Sequence, residues 1–169
     1  MKLETYIKDI PNFPKDGIIF KDVAPLLASP KAFQATIDLM ASYLDEIDVV
    51  VSPDARGFLF GTAAAYKTAK PFIMVRKPGK LPGQTLSQSY ELEYGHNTLE
   101  IQANLIKPGQ KVAIIDDVLA TGGTIDAIVK LVAKQQASVT KIIVLLELKN
   151  LKAKKIFDDK IQIHSLIKA

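Results

Sequence analysis

The sequence predicts an α/β fold, a mostly parallel, doubly wound sheet with helices packed on it, and three observations carry that expectation. Apolar runs at 48–52 (DVVVS), 71–75 (PFIMV), 112–115 (VAII) and 141–148 (KIIVLLEL) lack alternation, as strands buried on both faces do. Between several of them lie stretches with apolar residues every three or four positions, so strands and helices alternate and right-handed crossovers follow. Three of the strands also run into polar loops, PDARG, RKPGK and DDVLATGGT, at the carboxyl ends where open α/β sheets bind ligands.

The 169 residues, 48% hydrophobic and 24% charged, fit one domain, 1–169, with a sizeable core. There is no cysteine, which excludes disulfides, thiolate catalysis and zinc–thiolate sites and leaves oxygen donors for any metal. MKLETYIKDIPNF has no signal-like apolar run, and no segment approaches the ~20 apolar residues of a membrane span. A cytoplasmic protein with no membrane partner is expected. The net charge is +4, and Lys149, Lys152, Lys154, Lys155, Lys160 and Lys168 gather near the C-terminus. Without interleaved aromatics or a helix-turn-helix pattern they suit a solvated surface, and no nucleic-acid partner is expected.

In chain order, residues 3–9 suit a short helix that Pro11 and Pro14 end, and FPKDGIIFKDVAPLL follows as an apolar, partly extended segment that should pack over something. Ser29 and Pro30 make an N-cap and first helical position for an amphipathic helix through Phe33, Ile37, Met40, Ala41 and Leu44. The strand 48–52 then delivers Arg56 to the start of a helix running from Phe58 to about Thr68, in which Gly57 and Gly61 suit close packing on the sheet. An arginine in that place can meet a bound anion or form a surface ion pair. The strand 71–75 delivers Arg76, Lys77 and Lys80, a group suited to a small polyanion.

Residues 76–97 show no good period and read as a lid loop, part of which, around Tyr90 to Gly95, can pair with 98–102. The strand 112–115 leads into Asp116 and Asp117, a turn from Ala120 to Thr124, and a helix through Ile125, Ile128, Val129 and Val132. Backbone N–H groups of Gly122, Gly123 and Thr124 at that helix start suit a phosphate, and the paired acids suit sugar hydroxyls or a metal. A helix over about 151–157 and a terminal strand over 161–166 complete the chain. His96 and His164 read as structural or surface residues, and the absence of GxxxxGK[ST] argues against a P-loop hydrolase.

VAIIDDVLATGGT resembles the 5-phosphoribosyl 1-pyrophosphate (PRPP) signature of type I phosphoribosyltransferases, and ARGFLFG, VRKPGKLPG, SYELEYG and FPKDGIIFKDVAPLL resemble the adenine-using branch of that family. The resemblance implies formation of AMP and pyrophosphate from adenine and PRPP, with Mg²⁺ held mainly by PRPP or pyrophosphate, in a homodimer. It implies that Ala120, Thr121, Gly122, Gly123 and Thr124 hold the 5′-phosphate and that Asp116 and Asp117 hold the ribose. Arg56, Arg76, Lys77 and Lys80 would surround pyrophosphate, with a cis peptide at Asp54–Ala55. Residues 1–29 would form a hood whose Ile19, Phe20 and Lys21 meet adenine opposite Leu148. Glu93 would handle the N9 proton, and Tyr94 would lie beside it on the lid. Two alternatives remain, a transferase for another purine base and a non-catalytic PRPP-sensing regulator.

Overall fold

The computed structural model describes residues 1–92 and 95–169. After a 3-10 turn at Leu3–Tyr6, strands β1 (Lys8–Pro11) and β2 (Ile19–Asp22) form an antiparallel pair apart from the main sheet. Next come α1 (Ala24–Leu27), α2 (Pro30–Ser42), β3 (Val49–Pro53), α3 (Arg56–Lys67), β4 (Phe72–Arg76), β5 (Thr85–Glu91) and β6 (His96–Gln102). The chain continues with β7 (Lys111–Leu119), α4 (Gly123–Ala133), β8 (Ser138–Glu147), two 3-10 turns at Lys149–Leu151 and Ala153–Ile156, and β9 (Gln162–Lys168). The seven-stranded sheet runs β5-β6-β4-β3-β7-β8-β9. The pairs β4–β3, β3–β7, β7–β8 and β8–β9 are parallel, whereas β6 runs antiparallel to both of its neighbours, β4 and β5, at one edge.

The unbroken apolar runs are explained by cores on both faces of this sheet. Val49, Val51, Val112, Ile114, Ile142 and Val144 pack with α4 residues Ile125, Ile128, Leu131 and Val132. Their alternates Val50, Ala113, Ile115, Ile143 and Leu145 pack with Ile37 and Met40 of α2, Leu44 just after it, and Phe60 and Ala64 of α3. Every position of a central strand therefore removes apolar area from water, about 25 cal/mol for each Å². Ser29 caps α2 as expected, its Oγ accepting from Ala32 N–H at 3.3 Å. Gly57 and Gly61 do let α3 lie close to the sheet: a Cβ at Gly57 would stand 2.8 Å from Asp116 Oδ1, and one at Gly61 would collide with Ser52 Oγ.

Several local expectations change. The long aperiodic stretch is largely a hairpin, with Thr85 paired to Gln102 and Glu91 to His96, so the irregular part shrinks to about 77–84. Its strands escaped a periodicity reading because an edge hairpin keeps polar residues such as Ser87 and Ser89 exposed. The acids Asp116 and Asp117 lie inside β7, which continues to Leu119. The expected helix at 151–157 is broken into two 3-10 turns by Lys152 at φ 51°. The N-terminal helix is one 3-10 turn, after which the chain enters β1, with Pro11 paired to Ile19.

Candidate active site

The groups expected to face the ribose and the phosphates are set at or just beyond the carboxyl ends of the parallel strands β3, β4 and β7. After β3 comes the Asp54–Ala55 peptide, which is cis as the resemblance implied, and then Arg56 at the first position of α3. Arg56 is the meeting point of three segments. Its Nε stands 2.6 Å from Asp117 Oδ2 of β7, a nitrogen of its guanidinium donates to the Lys21 carbonyl at 3.2 Å, and its carbon lies 4.8 Å from the centre of the Phe20 ring. The neighbouring strand presents Arg76, whose Nε donates to Asp54 Oδ2 at 3.1 Å. Lys77 and Lys80 follow it on the exposed turn.

The paired acids are not equivalent. Asp116 Oδ1 accepts from the Asp117 N–H at 2.8 Å. Burial, and after it the charge of Asp117, push the Asp116 carboxyl well above the usual carboxylate range, against the Asp117 N–H and the Arg56 charge. Asp117 is the member of the pair that faces Arg56. Although near Arg56, Asp117 Oδ2 is buried with no aligned hydrogen-bond donor among the described residues. An approaching hydroxyl would satisfy it.

Immediately beyond, Ala120 to Thr124 and Asp116 line a cradle of about 80 Å³. Gly122 stands at φ 91° as the N-cap of α4, and no side chain caps that helix start. The back of Gly122 is closed by Ala153, Ile156 and Phe157, so a Cβ there would meet Ile156 at 2.8 Å. This is the geometry of an anion site, with N–H groups and the positive end of an 11-residue helix facing a small cavity.

A second cavity, about 620 Å³, lies between the β1–β2 hood and the segment after β8, and Ile19, Lys21 and Leu148 line it. Lys21 Nζ is held away by Asp9 at 2.7 and 2.8 Å. Phe20 lies apart from these three: its ring is edge-on to Phe13 with centroids 5.1 Å apart, and it supports Arg56. Glu93 and Tyr94 lie outside the described residues.

Sequence reasoning passed over three supporting residues. Asp54 fixes Arg76, and Tyr90 reaches the edge of the cradle from the hairpin, its hydroxyl 3.1 Å from Thr124 Oγ1. Glu147, at the end of β8, accepts from Ser165 at 2.6 Å and pairs with Lys154 at 3.1 Å. Burial pushes its carboxyl up, but the Ser165 and Lys154 hydrogen bonds and the Lys154 and Lys168 charges together hold it below 4.5. Only the polar residue inside an apolar run, Glu147 in KIIVLLEL, left a signal in the sequence.

Residues 22–167 match the phosphoribosyl transferase domain model. A relative from Mycoplasmopsis agalactiae named adenine phosphoribosyltransferase is 59% identical over 99% of both chains. The crystal structure of an adenine phosphoribosyltransferase from Thermoanaerobacter pseudethanolicus superposes with a TM-score of 0.95 at 48% identity, covering 99% of this chain and 98% of that one. The enzyme of the same name from Saccharomyces cerevisiae, solved with D-2,5-dideoxy-2,5-imino-altritol 1,6-bisphosphate and adenine, gives a TM-score of 0.92 at 37% identity, covering 98% of this chain and 96% of that one.

Proposed function

The chain belongs to the phosphoribosyl transferase domain family, and within it to the adenine phosphoribosyltransferases, and on that premise we propose that it joins the 5-phosphoribosyl group of PRPP to N9 of adenine. The products are AMP and pyrophosphate. The bond from C1′ to the pyrophosphate oxygen breaks with its electron pair leaving on pyrophosphate. The N9–C1′ bond forms on the opposite face, and the N9 proton passes to Glu93. Positive charge develops on the ribose as the leaving group departs, so the work of the protein is to hold, neutralise and exclude water.

The observation that carries this assignment is the acid pair beside an anion cradle, with Asp117 Oδ2 ion-paired to Arg56 at 2.6 Å but accepting no aligned hydrogen bond among the described residues, and Asp116 lining the cradle itself. A ribose hydroxyl on Asp117 and a 5′-phosphate on Ala120 to Thr124 use both features with one ligand. Arg56, Arg76, Lys77 and Lys80 neutralise the pyrophosphate. Ile19, Lys21 and Leu148 enclose the base, and Phe20 supports Arg56 behind it. Bound with the substrate, Mg²⁺ would neutralise charge on pyrophosphate, and the substrate's own oxygens would mainly hold it. The carboxylates of Asp116 and Asp117 are the hard oxygen donors that suit it nearby. Leu59 and Tyr66 on α3 and Met74 on β4, 45%, 90% and 37% exposed, support a homodimer by offering apolar area to a second copy.

The test is pyrophosphate release from PRPP and Mg²⁺ on addition of adenine, hypoxanthine or guanine. Release with adenine should dominate; faster release with an oxopurine would overturn the base assignment. DNA binding without AMP formation would favour the regulator instead.

A further inference from the structure

Tyr90 is a half-buried residue on an edge hairpin whose neighbours Ser89 and Glu91 are exposed. Its hydroxyl stands 3.1 Å from Thr124 Oγ1, and its ring lies against the same loop, so a Cβ built on Gly123 would come within 3.2 Å of Tyr90 Cδ2. The strand carrying it is docked along α4, where Lys134 Nζ donates to the Ser87 carbonyl. Thr124 in turn lines the anion cradle.

Either hydroxyl of this pair can be the donor while the cradle holds no anion. A bound phosphate removes that freedom. Phosphate oxygens accept only, so a Thr124 hydroxyl that serves the phosphate must spend its single proton there, and its oxygen can then only accept from Tyr90. We propose that Tyr90 is a positioning residue for the 5′-phosphate: its O–H donates to Thr124 Oγ1 and turns the threonine proton into the cradle. Tyr90 itself does not touch substrate. The chain of two hydrogen bonds polarises in one direction and strengthens the outer one, which ends on an anion. The inference rests on the assignment of Ala120 to Thr124 as the 5′-phosphate loop.

Tyr90→Phe keeps the ring packing and deletes only the donor. Titration calorimetry with AMP should show affinity lowered about 3–10-fold, the range expected from losing one hydrogen bond, while adenine, which carries no phosphate, binds within about twofold of wild type. In steady state the KM for PRPP should rise with kcat held, and thermal unfolding should show an intact fold. In a Thr124→Val background, where the acceptor is gone, Tyr90→Phe should cost no further AMP affinity. Unchanged AMP affinity, an equal loss for AMP and adenine, or the same loss in the Thr124→Val background would each overturn the proposal. A wild-type protein that binds AMP yet forms none from adenine and PRPP would overturn the reaction proposed above, and the titrations would still decide the role of Tyr90.

Discussion

Asp116 is 8% exposed and lies beside a second acid, and the sign of its shift has a measurable effect on the fold. Its carboxyl titrates well above 3.8 in the folded chain, through burial first and the Asp117 charge second. Between 3.8 and that raised value the folded state holds a proton that the unfolded state has released, so this residue's stability contribution is present at low pH and is lost as pH rises through the window. Asp116→Asn keeps the shape and an acceptor oxygen but cannot ionise. Thermal unfolding from about pH 4 to 8 should therefore show a smaller decline for the variant than for wild type, alongside a fall in turnover because a ribose contact is altered. An unaltered pH slope would show that Asp116 ionises freely. The adjacency of the two acids was legible in the sequence; their inequality was not, because it depends on what buries one of them. Arg56 shows the same division. Its place after a strand suggested an anion, whereas its contacts with Asp117, Phe20 and the Lys21 carbonyl join positions 35 or more residues apart that no spacing rule connects.

At the scale of elements, the buried parallel strands and the helices α2, α3 and α4 were legible because both cores demand apolar residues in fixed periods. The β5–β6 hairpin was only partly so, since an edge strand with one solvated face admits Ser, Gln and Asn. The segment after β8 was misjudged for a different reason: Lys152 in the left-handed region breaks a helical pattern without any proline or glycine to announce it. The contact of α3 with β3 sets where Arg56 points, and Gly61 permits it. A methyl at Gly61 would meet buried Ser52 Oγ and stand 2.9 Å from Phe72 Cε2, so either the helix or the sheet must move. Gly61→Ala should cost about 1–3 kcal/mol by overpacking. It should also lower kcat/KM, because displacing α3 carries Arg56 off Asp117. Urea unfolding and initial rates on the same preparation check both effects; a loss of stability with wild-type kinetics would separate the helix from the site.

Over the whole molecule, the proposed product AMP is held by segments that are far apart in the chain: the hood at Ile19 to Lys21, the acids at the end of β7, the loop before α4, and Leu148. A nucleotide touching all of them binds only when hood and sheet are assembled, so its binding free energy adds to global stability. At a free AMP concentration 100 times its Kd the gain is about 2.7 kcal/mol. For a domain of this size that corresponds to a rise in Tm of about 5–10 °C. IMP shares the phosphate and ribose and differs only in the purine, where a 6-oxo acceptor and an N1 donor replace the 6-amino donor and N1 acceptor. Lys21 is the cation best placed to meet an oxo group, and its ammonium is occupied by Asp9. Leaving a buried oxo group without a donor would lower affinity, so at equal concentration IMP should raise Tm by distinctly less than AMP. Equal shifts from the two nucleotides would mean that the hood does not read the base and that specificity lies elsewhere, whereas no shift from either would remove the phosphate loop from the argument.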